Sequence, residues 1–219
     1  MLDRFHPPVE EYLEAIFSLE EEGIPVIQAR LAERLDKAAP SVSEMLDRLE
    51  ADGLIARSDR RITMTPEGAA LAQGVVRKHR LAERLLVDVI GLDWEKAHQE
   101  AGRWEHVISD EVEARLVVLL GHPTTCPHGN PIPGSEGTGR AERPLADAAQ
   151  GEQVRLERIT ESVEHDSAAL AYLGRHGLTP GTTVTVGTRA PDGTLTVLVD
   201  DTAVALGPSM TSQLFVAAR

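Results

Sequence analysis

The hydrophobic pattern of the chain changes its period at residues 121–144, and this change limits the folds that the sequence can adopt. Before this stretch, apolar residues recur every three to four positions, as in helices, and after it they alternate, as in strands. The stretch itself (GHPTTCPHGNPIPGSEGTGRAERP) is rich in glycine, proline, serine and threonine, which predicts a linker without a packed core of its own. We therefore expect a mainly α fold with a small C-terminal β-barrel that contains one helix.

The first 73 residues predict a winged helix-turn-helix. One helix with a single apolar face covers Val9 to Phe17, and two short helices follow closely, around 29–35 and from Pro40 onward. The next segment, 54–65 (LIARSDRRITMT), alternates on both sides of a polar turn, which is typical of a β-hairpin. A hairpin in this position is the wing of the motif.

This motif predicts DNA binding through the helix that begins near Pro40. We expect Pro40 and Ser41 to contact base edges and Ser43 to contact a phosphate, while Glu44 could accept a hydrogen bond from cytosine N4. A winged helix used only for protein contacts is the alternative, because residues 28–65 contain seven basic and seven acidic side chains. The residues predicted to contact the DNA backbone are Arg48, Arg57, Arg60 and Arg61.

Composition excludes several classes of protein. Asp and Glu outnumber Lys and Arg by 35 to 22, and the resulting charge of −13 repels DNA unless a local basic patch or a switch offsets it. The single cysteine, Cys126, excludes an internal disulfide and a cysteine-rich zinc module. No basic leader or membrane span is visible, so we expect a cytoplasmic protein without membrane partners. The common catalytic motifs and phosphate-binding loops are missing, which argues against an enzyme or a small organic substrate.

Metal-ligand side chains recur on two successive predicted helices. His79 and Glu83 are four residues apart and share a helix face, and His98, Glu105 and His106 fall within one stripe of the next helix. Two antiparallel helices could therefore bring these groups to one or two metal ions. The alternative is that these histidines and glutamates lie on solvent-exposed helix faces and bind no metal. A weak soft-metal site at Cys126 and His128 is a further possibility, although we expect Cys126 to lie in a flexible loop.

Four segments resemble the diphtheria toxin repressor family of metal-activated transcription repressors: RKHRLAERLL (77–86), WEHVISDEVE (104–113), ARLAERL (29–35) and GNPIPG (129–134). The resemblance covers almost the whole chain. It implies a homodimer that binds a double-stranded, palindromic DNA operator. It also implies three domains: a winged helix-turn-helix (1–73), a helical dimerisation and metal-binding domain with the linker (74–140), and an SH3-like domain of the FeoA type (150–219).

The same resemblance implies two metal ions per protomer. Carried over position by position, the switching site consists of Glu11, Gly102, Glu105 and His106. Glu14, one turn beyond Glu11, is an alternative ligand. Iron-dependent members have methionine and cysteine where this chain has Glu11 and Gly102, and manganese-responsive members have acidic residues at both positions. A main-chain carbonyl or a water is expected at Gly102. The ancillary site implied in the same way consists of His79, Glu83, His98, Glu161 and Glu164.

Oxygen and imidazole ligands suit Mn²⁺ better than softer metals, so the expected cofactor is Mn²⁺, or else Fe²⁺. The resulting hypothesis is a repressor of metal-uptake genes in which one ion, held by Glu11 together with Glu105 and His106, fixes the spacing of the two recognition helices. The alternatives are an iron-selective regulator of the same family, activation of some promoters, and a metal-storage or hydrolytic protein.

Overall fold

The computed structural model describes residues 7–136 and 141–218. Its contacts fall into two compact units. The first unit comprises Met1–His79 and Gly102–Glu113, and the second comprises Arg80–Ala101 and Ala114–Arg219. The chain therefore passes from one unit to the other three times, each time within a helix.

The first unit is built from helices and one hairpin. Its elements are α1 (Pro7–Glu21), α2 (Gln28–Arg34), α3 (Ala39–Ala51), β1 (Ile55–Ser58), β2 (Arg61–Met64) and most of α4 (Pro66–Arg84). The predicted apolar face of α1 is buried, with Leu13 and Ile16 fully enclosed next to Leu31 of α2. The Thr65 hydroxyl accepts the Gly68 N–H at 3.1 Å and caps α4. The predicted winged helix-turn-helix is confirmed.

The wing is a tight hairpin. β1 and β2 pair antiparallel, with Ser58 opposite Arg61, so Asp59 and Arg60 alone form the turn. Both turn residues have positive φ, 49° and 67°, as a two-residue turn of this type requires. Because the turn is so short, the Arg60 side chain lies at the tip of the wing.

The second unit contains a six-stranded antiparallel sheet. Its strands lie in the order β3 (Arg143–Pro144), β8 (Leu214–Ala218), β4 (Gln153–Ile159), β5 (Thr183–Arg189), β6 (Leu195–Val199) and β7 (Thr202–Leu206). Its core consists mainly of valines and leucines from the strands and from two of the helices. This confirms the predicted β-rich C-terminal part. The remaining elements are α5 (Ala97–Trp104), α6 (Asp110–Leu119), α7 (Glu161–Glu164), α8 (Ser167–Arg175) and α9 (Pro208–Thr211).

Part of the predicted linker is packed into the second unit. Cys126, His128 and Asn130 are buried, and the Asn130 amide donates to the Ile159 carbonyl at 2.7 Å. Gly129 has a φ of +91°, and a Cβ there would lie 2.0 Å from the Glu157 carbonyl oxygen, so only glycine fits. The expectation of a flexible loop around Cys126 is therefore wrong, because this turn is fastened to the sheet by backbone and amide hydrogen bonds.

Within the described residues, no helix has both the length and the apolar character needed to cross a lipid bilayer.

Candidate functional site

The predicted DNA-contacting residues lie on α3 and on the wing. Pro40, Ser41, Glu44 and Arg48 on α3 are exposed, whereas Ser43 is half-buried. Proline in the first turn of α3 leaves the helix N-terminus intact, since its missing N–H has no partner there in any helix. The face of α3 that a major groove would receive is therefore accessible.

The arginines of the wing differ in their surroundings. The Arg57 guanidinium donates to Asp47 at 2.7 Å and to Glu50 at 2.9 Å, both on α3. These hydrogen bonds from Arg57 also lower the pKa of the Glu50 carboxyl. Arg60 and Arg61 are exposed at the end of the hairpin. Arg57 therefore ties the wing to α3, and Arg60 and Arg61 present their charges outward.

A cluster of acidic and imidazole groups lies in the first unit; we call Glu10, Glu14, His79, Glu105 and His106 the first cluster. His106 Nδ1 lies 2.6 Å from Glu10 Oε2, and its Nε2 lies 3.1 Å from Glu105 Oε1. His79 Nδ1 makes a short hydrogen bond with Glu105 and lies 3.8 Å from Glu14 Oε1. His79 and Glu105 are buried, and ligand atoms of Glu14, His79 and Glu105 lie within 4.8 Å of one another.

The structure changes part of the predicted switching set. Glu105 and His106 come together as expected, but the Glu11 carboxylate accepts a hydrogen bond from Lys37 at 2.9 Å. Glu10, which sequence reasoning missed, takes the contact with His106. A signal was available, because Glu10 and Glu14 are one turn apart on α1 and so share a face. Around Gly102, a Cβ would meet no atom within 4 Å among the described residues, so space remains beside the cluster.

The charges of the first cluster favour the protonated form of the His106 ring. The hydrogen bond to Glu10 raises the pKa of His106, burial lowers it, and the charges of Glu105, Glu10 and Glu11 raise it further; the net direction is upward. A cation entering here would have to displace that proton. The cluster therefore attracts positive charge, whether the charge is a proton or a metal ion.

A second cluster, in the second unit, consists of Glu83, His98, His128 and Glu164. His98 Nδ1 lies 3.3 Å from Glu83 Oε1 and 3.1 Å from Glu164 Oε2. His128 Nδ1 lies 3.4 Å from each of the same two oxygens. All four side chains are buried. The Cys126 sulfur, one ligand atom of Glu83 and one of His128 all lie within 4.8 Å of one another.

These distances fit a metal site. Ligand atoms that share one ion at about 2.0–2.2 Å lie roughly 3 Å apart, and each imidazole Nδ1 lies 3.1 to 3.4 Å from both carboxylate oxygens. Two carboxylates in a buried site need a compensating positive charge. Burial lowers the pKa of His128, but the charges of Glu164 and Glu83 outweigh burial and raise it. Burial and the same two carboxylates raise the pKa of Cys126, so without a cation it stays a thiol.

Of the predicted ancillary set, Glu83, His98 and Glu164 lie together in the second cluster. Glu161 Oε2 lies 4.0 Å from the Arg80 guanidinium, and the predicted ancillary roles of Glu161 and His79 stay predictions. His128 was considered only as part of a weak soft-metal site with Cys126, because its segment, CPHGNP, has the composition of a loop. The proximity of a cysteine and a histidine in that loop was the only sequence signal for its position.

Comparison with known proteins accounts for nearly the whole chain. Residues 4–61 match the model of the iron dependent repressor N-terminal DNA binding domain. Residues 65–134 match the iron dependent repressor metal binding and dimerisation domain, and residues 143–218 match the FeoA domain.

Similar proteins include the iron-dependent repressor IdeR of Mycobacterium tuberculosis, 47% identical over 202 residues with 87% of each chain covered. The diphtheria toxin repressor of Corynebacterium diphtheriae is 44% identical over 212 residues, covering 89% of this chain and 93% of the relative. Among solved structures, a manganese-dependent transcriptional repressor in complex with manganese has a TM-score of 0.88 and 30% identity, covering 96% of this chain and all of that one.

The fold and these matches define the class as a winged-helix DNA-binding protein with a metal-binding and dimerisation domain. The chain belongs to the diphtheria toxin repressor family, and its function is that of a metal-dependent transcriptional repressor. Its partners are therefore DNA and a second copy of itself, and its cofactor is a divalent metal ion. Members of this family are transcriptional regulators and not enzymes.

Proposed function

We propose that this repressor responds to Mn²⁺, and that the first cluster is its switching site. The observation that carries the proposal is the donor set, because Glu10, Glu14, His79, Glu105 and His106 offer only oxygen and imidazole nitrogen. Such donors favour Mn²⁺ over softer metals, for which thiol or thioether ligands are preferred. The similar structure that is a manganese-dependent repressor in complex with manganese agrees with this choice.

The residues of the first cluster explain how ion binding would bias DNA binding. Glu10 and Glu14 lie on α1, which packs against α2 of the helix-turn-helix, whereas Glu105 and His106 follow the end of α5. A bound cation would supply charge that neutralises these carboxylates. Glu10 and His106 would then both bind the ion, and the position of α1 relative to His106 would be fixed. In a homodimer on a palindromic operator, fixing α1 in both copies would fix the separation of the two α3 helices.

The second cluster is proposed as the ancillary site, giving two ions per protomer. Glu83, His98, His128 and Glu164 would hold the ion, and Cys126 is close enough to add a soft ligand. Because this set combines oxygen, nitrogen and sulfur atoms, it should distinguish less among Mn²⁺, Fe²⁺ and Zn²⁺ than the first cluster does. We therefore assign metal selectivity to the first cluster and structural stabilisation to the second. The predicted roles of Glu11, Gly102 and Glu161 in metal binding stay predictions.

An iron-selective repressor of metal-uptake genes is the second candidate, because IdeR, an iron-dependent repressor, is 47% identical to this chain. Fluorescence anisotropy distinguishes the two. A duplex is first selected from random DNA with the Mn²⁺-loaded protein. Labelled duplex is then titrated with protein that is chelated, loaded with Mn²⁺, or loaded anaerobically with Fe²⁺. We expect tight binding with Mn²⁺ at a lower free-metal midpoint than with Fe²⁺. Equal midpoints would remove the manganese assignment, and equal binding with chelator would remove the metal switch.

A further inference from the structure

Lys37 contacts α1, the helix that carries Glu10 and Glu14, and it lies just before the predicted recognition helix α3. It occupies the connection between α2 and α3, two residues before α3 begins at Ala39. Its ammonium donates to Glu11 Oε2 at 2.9 Å and lies 5.3 Å from the centre of the Tyr12 ring. Lys37 thus holds an acidic residue of α1 from a position next to the recognition helix.

Glu11 is close to the first cluster without belonging to it. Its charge is one of those that raise the pKa of His106, so the two groups interact electrostatically. Its neighbour Glu10 contacts His106 directly. The difference between these adjacent carboxylates is their partner, because Glu10 faces an imidazole and Glu11 faces an ammonium.

We propose that Lys37 is an electrostatic latch that withholds Glu11 from the ion and is released when DNA phosphate takes its place. The inference rests on the proposed function of the first cluster. A carboxylate paired with an ammonium is a poorer ligand than a free one, since metal binding must first break the pair. Lysine side chains and helix N-termini are common donors to DNA phosphate, and Lys37 lies two residues before the N-terminus of α3.

The latch makes metal and DNA binding reinforce each other. Phosphate that binds Lys37 frees Glu11 for the cation, and a cation that binds Glu11 frees Lys37 for phosphate. Thermodynamic linkage requires the two effects to be equal. Lys37 and Glu11 are partly exposed, at 37% and 44% of their side-chain surface. Pairs of this kind are weak, so the latch opens readily and its effect on affinity should be about two- to fivefold.

The test measures Mn²⁺ affinity without DNA. Trp104, adjacent to Glu105 in sequence, serves as the fluorescent reporter in a Trp94→Phe background. Lys37→Ala removes the latch, and Lys37→Met removes the charge but keeps an aliphatic stem over Tyr12. The matched control is Lys78→Ala, because Lys78 pairs with Asp110 at the same 2.9 Å and neither residue belongs to a cluster.

We expect both Lys37 variants to bind Mn²⁺ about two- to fivefold more tightly, and Lys78→Ala to bind as the parent does. On DNA, the Lys37 variants should lose about 0.9 from the salt-dependence slope and show weaker coupling between metal and DNA. Unchanged Mn²⁺ affinity in both folded Lys37 variants would overturn the latch. Failure of the proposed function gives a different result, since the parent protein would then bind DNA equally with and without metal.

Discussion

At the scale of single residues, the contact between Glu10 and His106 links the metal site to pH. The pKa of His106 is raised, principally by the hydrogen bond to Glu10. A raised pKa means that the protonated imidazole contributes stability below its ordinary pKa and that this contribution is lost as the pH rises through the folded-state value. Metal binding has the opposite preference, because only the neutral imidazole is a ligand.

We expect Glu10→Gln to lower the pKa of His106 in the metal-free protein. Glu11→Gln is the matched comparison and should lower it less, because the charge of Glu11 is the smallest of the contributions and makes no hydrogen bond to the ring. The measurement is an NMR titration of the His106 ring protons in chelator. A larger shift in Glu11→Gln than in Glu10→Gln would contradict the geometry of the first cluster.

At the scale of elements, the wing shows that arginines of similar predicted role can act differently. Arg57 and Arg60 are three residues apart, yet Arg57 is hydrogen-bonded to Asp47 and Glu50 of α3, while Arg60 is exposed in the two-residue turn. Hydrogen bonds between charged groups that join two elements stabilise their arrangement. The charge at the tip of the hairpin is instead available to a phosphate.

We therefore expect Arg60→Ala to weaken binding to all duplexes alike and to reduce the salt-dependence slope by about 0.9, without lowering the thermal midpoint. Arg57→Ala should lower the thermal midpoint of the first unit and affect the salt slope less. Anisotropy at several KCl concentrations and thermal unfolding measure the two effects. The assignment fails if Arg60→Ala alters binding in a base-dependent manner, or if Arg57→Ala causes the larger change in slope.

Much of the fold was predictable because its elements carry periodic patterns. The face of α1, the wing and the start of α4 at Thr65-Pro66 follow from spacing and capping residues alone. The packed turn around Gly129 was not predictable, because its composition is that of a linker and its hydrogen bonds join distant parts of the chain. Glu10 shares a helix face with Glu14, but this spacing does not by itself decide whether Glu10 or Glu11 turns toward His106.

At the scale of the whole molecule, the formal charge of −13 includes two groups of carboxylates held together by the fold. Like charges at close range destabilise the folded state, and cations bound only by the folded state stabilise it.

We expect Mn²⁺ to raise the thermal midpoint of the chelated protein, with about 2.7 kcal/mol per site when free Mn²⁺ is 100 times the Kd. Glu105→Gln should remove the contribution of the first cluster, and His128→Ala that of the second. Scanning calorimetry of each variant, with Mn²⁺ and with chelator, measures both. If either variant keeps the full increase, its cluster does not bind the ion.

Cys126 is the sole thiol of the sequence and is 1% exposed beside the second cluster. Alkylating reagents attack the thiolate, and burial suppresses both its access and its ionisation. Its modification must therefore wait until this turn detaches from the sheet. The rate at which a maleimide probe modifies Cys126 in the intact protein thus measures how often this turn opens, and no engineered label is needed.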